Sequence, residues 1–317
     1  MISNIYHPLV TVGVVCYNAE EFIEETLDSV YKQTYSKIEL IISDDHSSDN
    51  TVQKINEWVP LHKERFIRVK VITSEENTGV SGNGNRAIHE AKGEWYNSLD
   101  GDDLLTETAV EDNVNYVTGR DDIHFVFGNK AGFYGNFSVE GLKKIVPPFY
   151  PKFYANTTTA KEQLNVVNKF CVGSGSSIFF RTRTLKELGG YDERFPLMED
   201  HPIYIKFTRN GYKLWLLDKV THYYRINDKS ISHTVDEFEY ILTNNAVRQV
   251  VEYKHEYLRE TYGIFWKICL WYTNLLKRQI INKGNSKKNV KCLFWHYLLK
   301  LTDPYNWYFK FLSQKYK

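Results

Sequence analysis

The sequence of 317 residues predicts an α/β fold: a mixed, mainly parallel sheet flanked by helices, followed by a C-terminal helical extension. Three observations carry that expectation. Short β-branched runs alternate with segments whose apolar residues recur at helical spacing. The runs stop at polar clusters rich in Asp and Asn. Beyond Glu237 the strand pattern gives way to helical stretches dense in aromatic and basic residues.

Taken in order, Leu9 to Cys16 is β-branched and nearly uncharged, the mark of a strand buried on both faces. It ends at Tyr17-Asn18, and Phe22, Ile23, Leu27 and Val30 then give a helix within Glu20 to Gln33. Ile38 to Ser43 is a second buried strand, ending at Asp44-Asp45-His46-Ser47-Ser48-Asp49. Ser48 or Asp49 is placed to cap a helix from Thr51 to Val59. Arg68 to Ile72 is a third strand, followed by a polar, glycine-containing loop, Glu76 to Asn85, and a helix through Ala87, Ile88 and Ala91. The fourth strand runs into Leu99-Asp100-Gly101-Asp102-Asp103. Strand–helix alternation at this spacing means a parallel sheet with helices on both faces, and ligands of such sheets bind beyond the carboxyl ends of the strands. The polar clusters all lie at those ends.

The second half reads less regularly. Asp122 to Gly128 is a strand, and the aromatic, Pro-containing stretch 133–168 has the length and irregularity of a substrate loop or lid. Ser176 to Arg181 is a strand, Arg183 to Gly189 a short helix, and Met198-Glu199-Asp200 leads into a helix from about His201 to Asn210. Tyr212 to Leu217 and Thr221 to Arg225 read as two further strands.

Asp100, Asp102 and Asp103 fall within four residues. Packed together they repel one another unless a cation sits among them. Hard divalent cations take oxygen ligands, often one or two carboxylates with substrate phosphates completing the shell. A solvated acidic turn is the other reading of the same stretch. Gly82-Asn83-Gly84-Asn85-Arg86-Ala87 fits a dinucleotide-binding fingerprint, but it follows the third strand rather than the first and lies about nine residues beyond Ile72. An NAD-binding site is therefore not expected.

Net charge is +1, unevenly spread. From Lys277 to Lys317 there are ten Lys/Arg against Asp303 alone, a balance of +9 that leaves −8 for the remainder. Cys16, Cys171, Cys269 and Cys292 are scattered with no CxxC pair, which suits a reducing compartment and indicates neither a zinc site nor a disulfide framework. Residues 1–10 lack a signal-peptide pattern, and no apolar run reaches the ~18 residues of a spanning helix. A cytoplasmic protein, peripheral on the inner face of the plasma membrane, is the expectation. The basic, aromatic stretches within 264–317 suit an anionic membrane surface or, alternatively, pack on the preceding domain. No nucleic-acid motif accompanies the charge.

With these residues in place, the chain resembles the family 2 glycosyltransferases of GT-A fold, Rossmann-like in construction. The resemblance rests on Val-Val-Cys-Tyr-Asn at the first strand end, Ser-Asp-Asp-His-Ser-Ser-Asp at the second, Asn77-Thr78-Gly79-Val80-Ser81, Leu-Asp-Gly-Asp-Asp, and Met-Glu-Asp before a late helix. It implies transfer of a sugar from a nucleotide-diphosphate sugar, by default a UDP-sugar, to the hydroxyl of a saccharide or lipid-linked saccharide. The transfer inverts the anomeric centre and depends on Mn2+ or Mg2+. It implies that Tyr17 stacks on the base, with Asn18 beside it, and that Asp44 or Asp45 binds base or ribose, with Asn77 nearby. Asp100 and Asp102 form the Asp-x-Asp motif that reaches the ribose and the metal, with Asp103 supporting. Asp200 is the general base, and Arg225 and Ser230 close over the diphosphate. It further implies a catalytic domain over 1–234, with a nucleotide-sugar half (1–120) and an acceptor half (121–234), and a helical extension over 235–317. His46 replaces a usual Gly, Gly84 a usual Arg, for which Arg86 is a candidate substitute, and Asn227 a frequent His. A catalytically inactive relative that binds nucleotide or holds partners at a membrane is the alternative, and the intact Asp100, Asp102 and Asp200 argue against it.

Overall fold

Val10–Cys16 (β1), Ile38–Asp44 (β2), Arg68–Thr73 (β3) and Trp95–Asp100 (β4) lie side by side in the order β3-β2-β1-β4, all parallel, in the computed structural model. It describes residues 6–135, 137–142, 145–146, 151–169, 172–173, 175–226, 263–283 and 289–316. Every residue of β1 and β2 is buried, as the unbroken β-branched runs require. Alternate residues serve opposite faces: Val10, Val12 and Val14 join the core under Ile23–Tyr31 (α1) and Thr51–His62 (α2). On the other face Gly13 leaves room for the Tyr96 side chain, whose hydroxyl would collide with any Cβ there.

The sheet continues through Ile178–Arg181 (β8), antiparallel to β4, then Phe125–Tyr134 (β6) and Trp215–Ile226 (β9), with the two-residue strands Leu104–Leu105 (β5) on β9 and Ile145–Val146 (β7) on β6. Phe125, Phe127, Phe180, Tyr204 and Phe207 meet edge-on beneath this half, an arrangement that aromatic quadrupoles favour.

Several sequence expectations change. The two strands expected at 212–217 and 221–225 are one strand, β9. Its polar Asp218-Lys219 is absorbed where the pairing with β6 shifts register between Gly128 and Lys130, and Asn129 Nδ2 donates to Asp218 Oδ1 at 2.8 Å. The polar loop expected over 76–85 is largely helix, since Gly79–Glu90 forms α3. Its glycines serve packing, because a Cβ on Gly84 would meet the Tyr191 ring at 2.7 Å. The fingerprint-like glycines thus sit inside a helix, not on a strand-to-helix turn. The irregular stretch 133–168 contains a helix, Ala160–Val167 (α5).

Ala109–Val117 (α4), Thr182–Glu187 (α6) and Asp200–Arg209 (α7) complete the first compact unit, which ends at Ile226. A second unit holds Ile264–Asn282 (α8), Val290–Thr302 (α9) and Pro304–Tyr316 (α10).

Candidate active site

The carboxyl ends of three parallel strands make the rim. Val15 is level with Ser43 on one side and Asp100 on the other, and Cys16 pairs with Asp44, so the polar clusters after β1, β2 and β4 come out side by side. The loops after β1 and β2 are laced together. Asn18, at φ +48°, donates its N–H to Ser47 Oγ at 2.8 Å and accepts Ser48 N–H on Oδ1 at 2.8 Å. Tyr17, beside it, stays 51% exposed. Asp44 is buried and holds Ser47 through its N–H (2.9 Å) and Oγ (2.5 Å). His46 adopts the left-handed φ of +67°, a conformation that costs a residue with a Cβ about 1 kcal/mol. The turn usually made by Gly is therefore kept, at some strain.

Asp45 and Asn77 are engaged with α3. Asp45, buried, accepts Thr78 N–H (3.0 Å), Thr78 Oγ1 (2.8 Å), Gly79 N–H (2.7 Å) and Arg86 Nη2 (2.5 Å). A carboxylate at a helix N-terminus satisfies otherwise orphaned N–H groups and meets the positive end of the dipole. Arg86 is drawn into this contact, and Asn77, exposed, accepts Gly79 N–H on Oδ1 at 3.1 Å.

The loop after β4 carries the acids. Gly101 N–H donates to Val15 O at 2.8 Å, and a Cβ on Gly101 would come within 2.6 Å of the Cys16 Cβ. Only Gly lets the loop cross β1 this closely, which explains its place between Asp100 and Asp102. Asp100 keeps a partly exposed edge. Burial, then Asp103, then Asp102 push its carboxyl up to about 7. Burial and Asp103 push Asp102 up to about 7 as well. Asp103 is fully buried, and that burial pushes its carboxyl up to about 7. It accepts Arg225 N–H on Oδ1 (2.8 Å) and faces His222 Nε2 across 3.0 Å. Burial drives His222 down to about 3, so the ring is neutral and its contact with Asp103 is a hydrogen bond rather than an ion pair.

Arg225 lies behind this loop. It is 2% exposed; Nε donates to Asp102 O at 2.8 Å, and the two terminal nitrogens reach Gly135 O and the Glu25 carboxylate. Its guanidinium lies between the rings of Phe22 and Phe133, 4.5 and 4.6 Å from their centroids. It is not a surface arginine: buried, it holds the acidic loop through the Asp102 carbonyl. Ser230 and Asn227 lie outside the described residues.

Asp200 opens α7, where Asp200 Oδ1 accepts His201 N–H at 2.6 Å. Glu199 precedes it, and burial, then Asp200, then Asp100 push the Glu199 carboxyl up to about 8. The α7 start and the β4 loop thus share one electrostatic site. Lys130, from β6, lowers the cost of negative charge on Asp100, Asp103 and Glu199. The sequence reading gave no role to Glu199, Lys130 or Glu25. A lone Lys in the apolar run Phe125 to Phe133 was the available signal for Lys130.

The donor set suits a hard divalent cation. Asp100 and Asp102 are oxygen donors pushed up first by burial and then by neighbouring carboxylates, and a bound cation would offset both. Among the described residues no group of three or more His, Cys, Asp or Glu side chains is placed to hold a metal. Mg2+ and similar ions usually complete such a shell with substrate phosphates and water.

A mixed, mainly parallel sheet carries acids at this rim, with a second carboxylate pair at the start of a late helix, and the GT-A glycosyltransferases share that architecture. Solved structures share this fold. The S. aureus TarS fragment crystallised with UDP-GlcNAc aligns over 77% of this chain and 70% of its own, with a TM-score of 0.55 and 20% identity. The mannosyltransferase PcManGT from Pyrobaculum calidifontis, in complex with GDP-Man and Mn2+, aligns over 96% and 84%, with a TM-score of 0.53 and 19% identity. Residues 11–189 match the model of glycosyl transferase family 2. Two Escherichia coli UDP-Glc:alpha-D-GlcNAc-diphosphoundecaprenol beta-1,3-glucosyltransferases are similar: WfgD is 30% identical over 225 residues (71% of this chain, 79% of that one). WfaP is 26% identical over 268 residues (83% and 92%). The chain belongs to glycosyltransferase family 2 and is a glycosyltransferase of glycan or polysaccharide biosynthesis.

Proposed function

We propose that the protein transfers a sugar, with inversion, from a UDP-sugar to the hydroxyl of a saccharide or lipid-linked saccharide acceptor. The single observation that carries the mechanism is the approach of the start of α7 to the Asp100–Asp103 loop: Gly175 lies against the Glu199 carboxylate and Asp200 Cβ, and the next residue, Ser176, hydrogen-bonds Asp103. Tyr17 offers a stacking face, Asp44 fixes the loop that borders it, and Asp100 and Asp102 would hold Mn2+ or Mg2+. Such an ion stabilises the charge that builds on the diphosphate oxygens as the leaving group departs. The named relatives use UDP-Glc, which supports UDP as the nucleotide.

In this reading Asp200 takes the acceptor proton while the acceptor oxygen forms its bond to the anomeric carbon. The bond from that carbon to the diphosphate breaks on the opposite face, and the nucleoside diphosphate leaves with its electron pair. General-base assistance of this kind contributes roughly 10²–10⁴-fold. Glu199, pushed up to about 8, holds its proton at neutral pH and serves as a hydrogen-bond donor. Arg225 acts indirectly, by fixing Asp102 and Asp103. A thermal-shift screen of UDP-, GDP- and dTDP-sugars, with and without Mn2+, tests the donor. Stabilisation by a UDP-sugar that needs Mn2+ and vanishes in Asp102→Ala is expected; stabilisation unchanged in Asp102→Ala would overturn the metal role.

A further inference from the structure

One basic side chain reaches the carboxylate site from the sheet itself. Lys130 stands in β6 level with His222 of β9, and residues level with one another on paired strands share a face. His222 Nε2 lies 3.0 Å from Asp103 Oδ2, so Lys130 is one side chain removed from the acidic loop. Its Nζ lies 4.5 Å from the centroid of the Tyr224 ring, two residues further along β9 on the same face. The short turn Gly175–Ser177 packs against β6 as well. Through Ser176 that turn bonds Asp103, and through Gly175 it meets the Glu199 carboxylate. The ammonium thus stands between the two acidic groups, and its charge is felt at Asp100, Asp103 and Glu199 alike.

A lysine in this place costs hydration and rotamer freedom, since its strand neighbours Asn129 and Ala131 are buried. Arg225, the other cation near the acidic loop, is committed: it is buried, with its nitrogens on Asp102 O, Gly135 O and the Glu25 carboxylate. Lys130 instead keeps a partly exposed surface. A nucleoside diphosphate brought up to Asp100, Asp102 and Asp103 carries more negative charge than one divalent cation cancels. The like charges then repel across a site that burial has made poorly screening. A second positive charge, held in place by the sheet, offsets that repulsion.

We propose that Lys130 binds the diphosphate of the donor and stabilises the nucleoside diphosphate as it departs. The proposal rests on the transfer reading above and adds to it a residue that no sequence motif marks. Lysine acts on phosphate as a point charge. A charge positioned before the reaction needs no reorganisation while negative charge builds on the leaving group.

The experiment is calorimetric titration of the full chain with UDP and with uridine, each in Mn2+ and in a chelator. Lys130→Gln should weaken UDP about tenfold in both conditions, the size expected for losing a hydrogen bond to a charged group. Uridine carries no phosphate, so its affinity should not change, which also shows that the variant is folded. Lys130→Arg should recover most of the UDP affinity. Turnover should follow the same order, with kcat lowered in the Gln variant and the acceptor KM unmoved. The unaltered chain gives a further check: in chelator, added salt should weaken UDP and leave uridine alone. Equal losses of UDP and uridine would mark a merely structural lysine and overturn the proposal. So would unchanged UDP affinity, or an effect confined to the acceptor KM, which would assign Lys130 to the acceptor. Failure of the parent to bind UDP at all would overturn the UDP-sugar reading first and this proposal with it, so the parent titration tells the two failures apart.

Discussion

At neutral pH the Glu199 carboxyl, pushed up to about 8 by burial and by Asp200 and Asp100, is mostly protonated, so a neutral amide can stand in for it. Glu199→Gln should therefore keep transfer within about tenfold of the parent, whereas Asp200→Asn should lose roughly 10²–10⁴-fold in kcat, the range of general-base catalysis. Rates of nucleoside diphosphate release from the two variants decide the matter; equal losses would overturn the separate roles given to Glu199 and Asp200. Before the structure, the paired acids were legible as a motif but not as two chemistries. Residue identity does not reveal which of two neighbours is desolvated among other carboxylates. The same limit applies to Asp45 and Arg225. Both look like ligands in the sequence, yet Asp45 is occupied by the start of α3 and Arg225 by Asp102, Gly135 and Glu25. Glu25 lies 200 residues from Arg225, and no local pattern joins them.

Among the elements, β1, β2, β3 and β4 were legible because each is a short apolar run bounded by turn residues. The helix α5 was legible too, though it was passed over. Thr159 and Glu162 form a capping box, with Thr159 N–H on Glu162 Oε2 at 2.8 Å and Glu162 N–H on Thr159 Oγ1 at 3.2 Å, a signature spelled by their three-residue spacing. What the sequence conceals is tertiary compensation. Asp218-Lys219 reads as a strand break and is absorbed by a register shift. Gly82 and Gly84 read as a loop because their cost to a helix, about 1 kcal/mol each, is visible, while the close packing they permit is not. Gly84→Ala tests that account. In an isolated helix the change would stabilise, but here the methyl meets the Tyr191 ring at 2.7 Å. Overpacking costs about 1–3 kcal/mol, so the melting temperature should fall. A rise would show that α3 can move away from Tyr191 at little cost.

Across the whole first unit, four acids of one site depart upward together: Asp100, Asp102 and Asp103 to about 7 and Glu199 to about 8. The direction fixes how stability and ligand binding respond to pH. The three aspartates have a reference value of 3.8, so between about pH 4 and pH 7 the folded state carries more protons than the unfolded chain. Stability of the metal-free protein therefore falls as pH rises through that window. A divalent cation at Asp100 and Asp102 favours their charged forms and displaces those protons. Mn2+ binding should accordingly tighten from roughly pH 6 to pH 8 and release protons, and the gain in melting temperature from Mn2+ should be larger at the higher pH. Calorimetry in two buffers of different ionisation enthalpy measures the released protons directly. Asp102→Asn should weaken Mn2+ binding and reduce the proton release, while raising the metal-free melting temperature near pH 8, because one of the mutually repelling charges is gone. Mn2+ affinity independent of pH, with no proton release, would mean that the carboxylates at the end of β4 do not hold the ion.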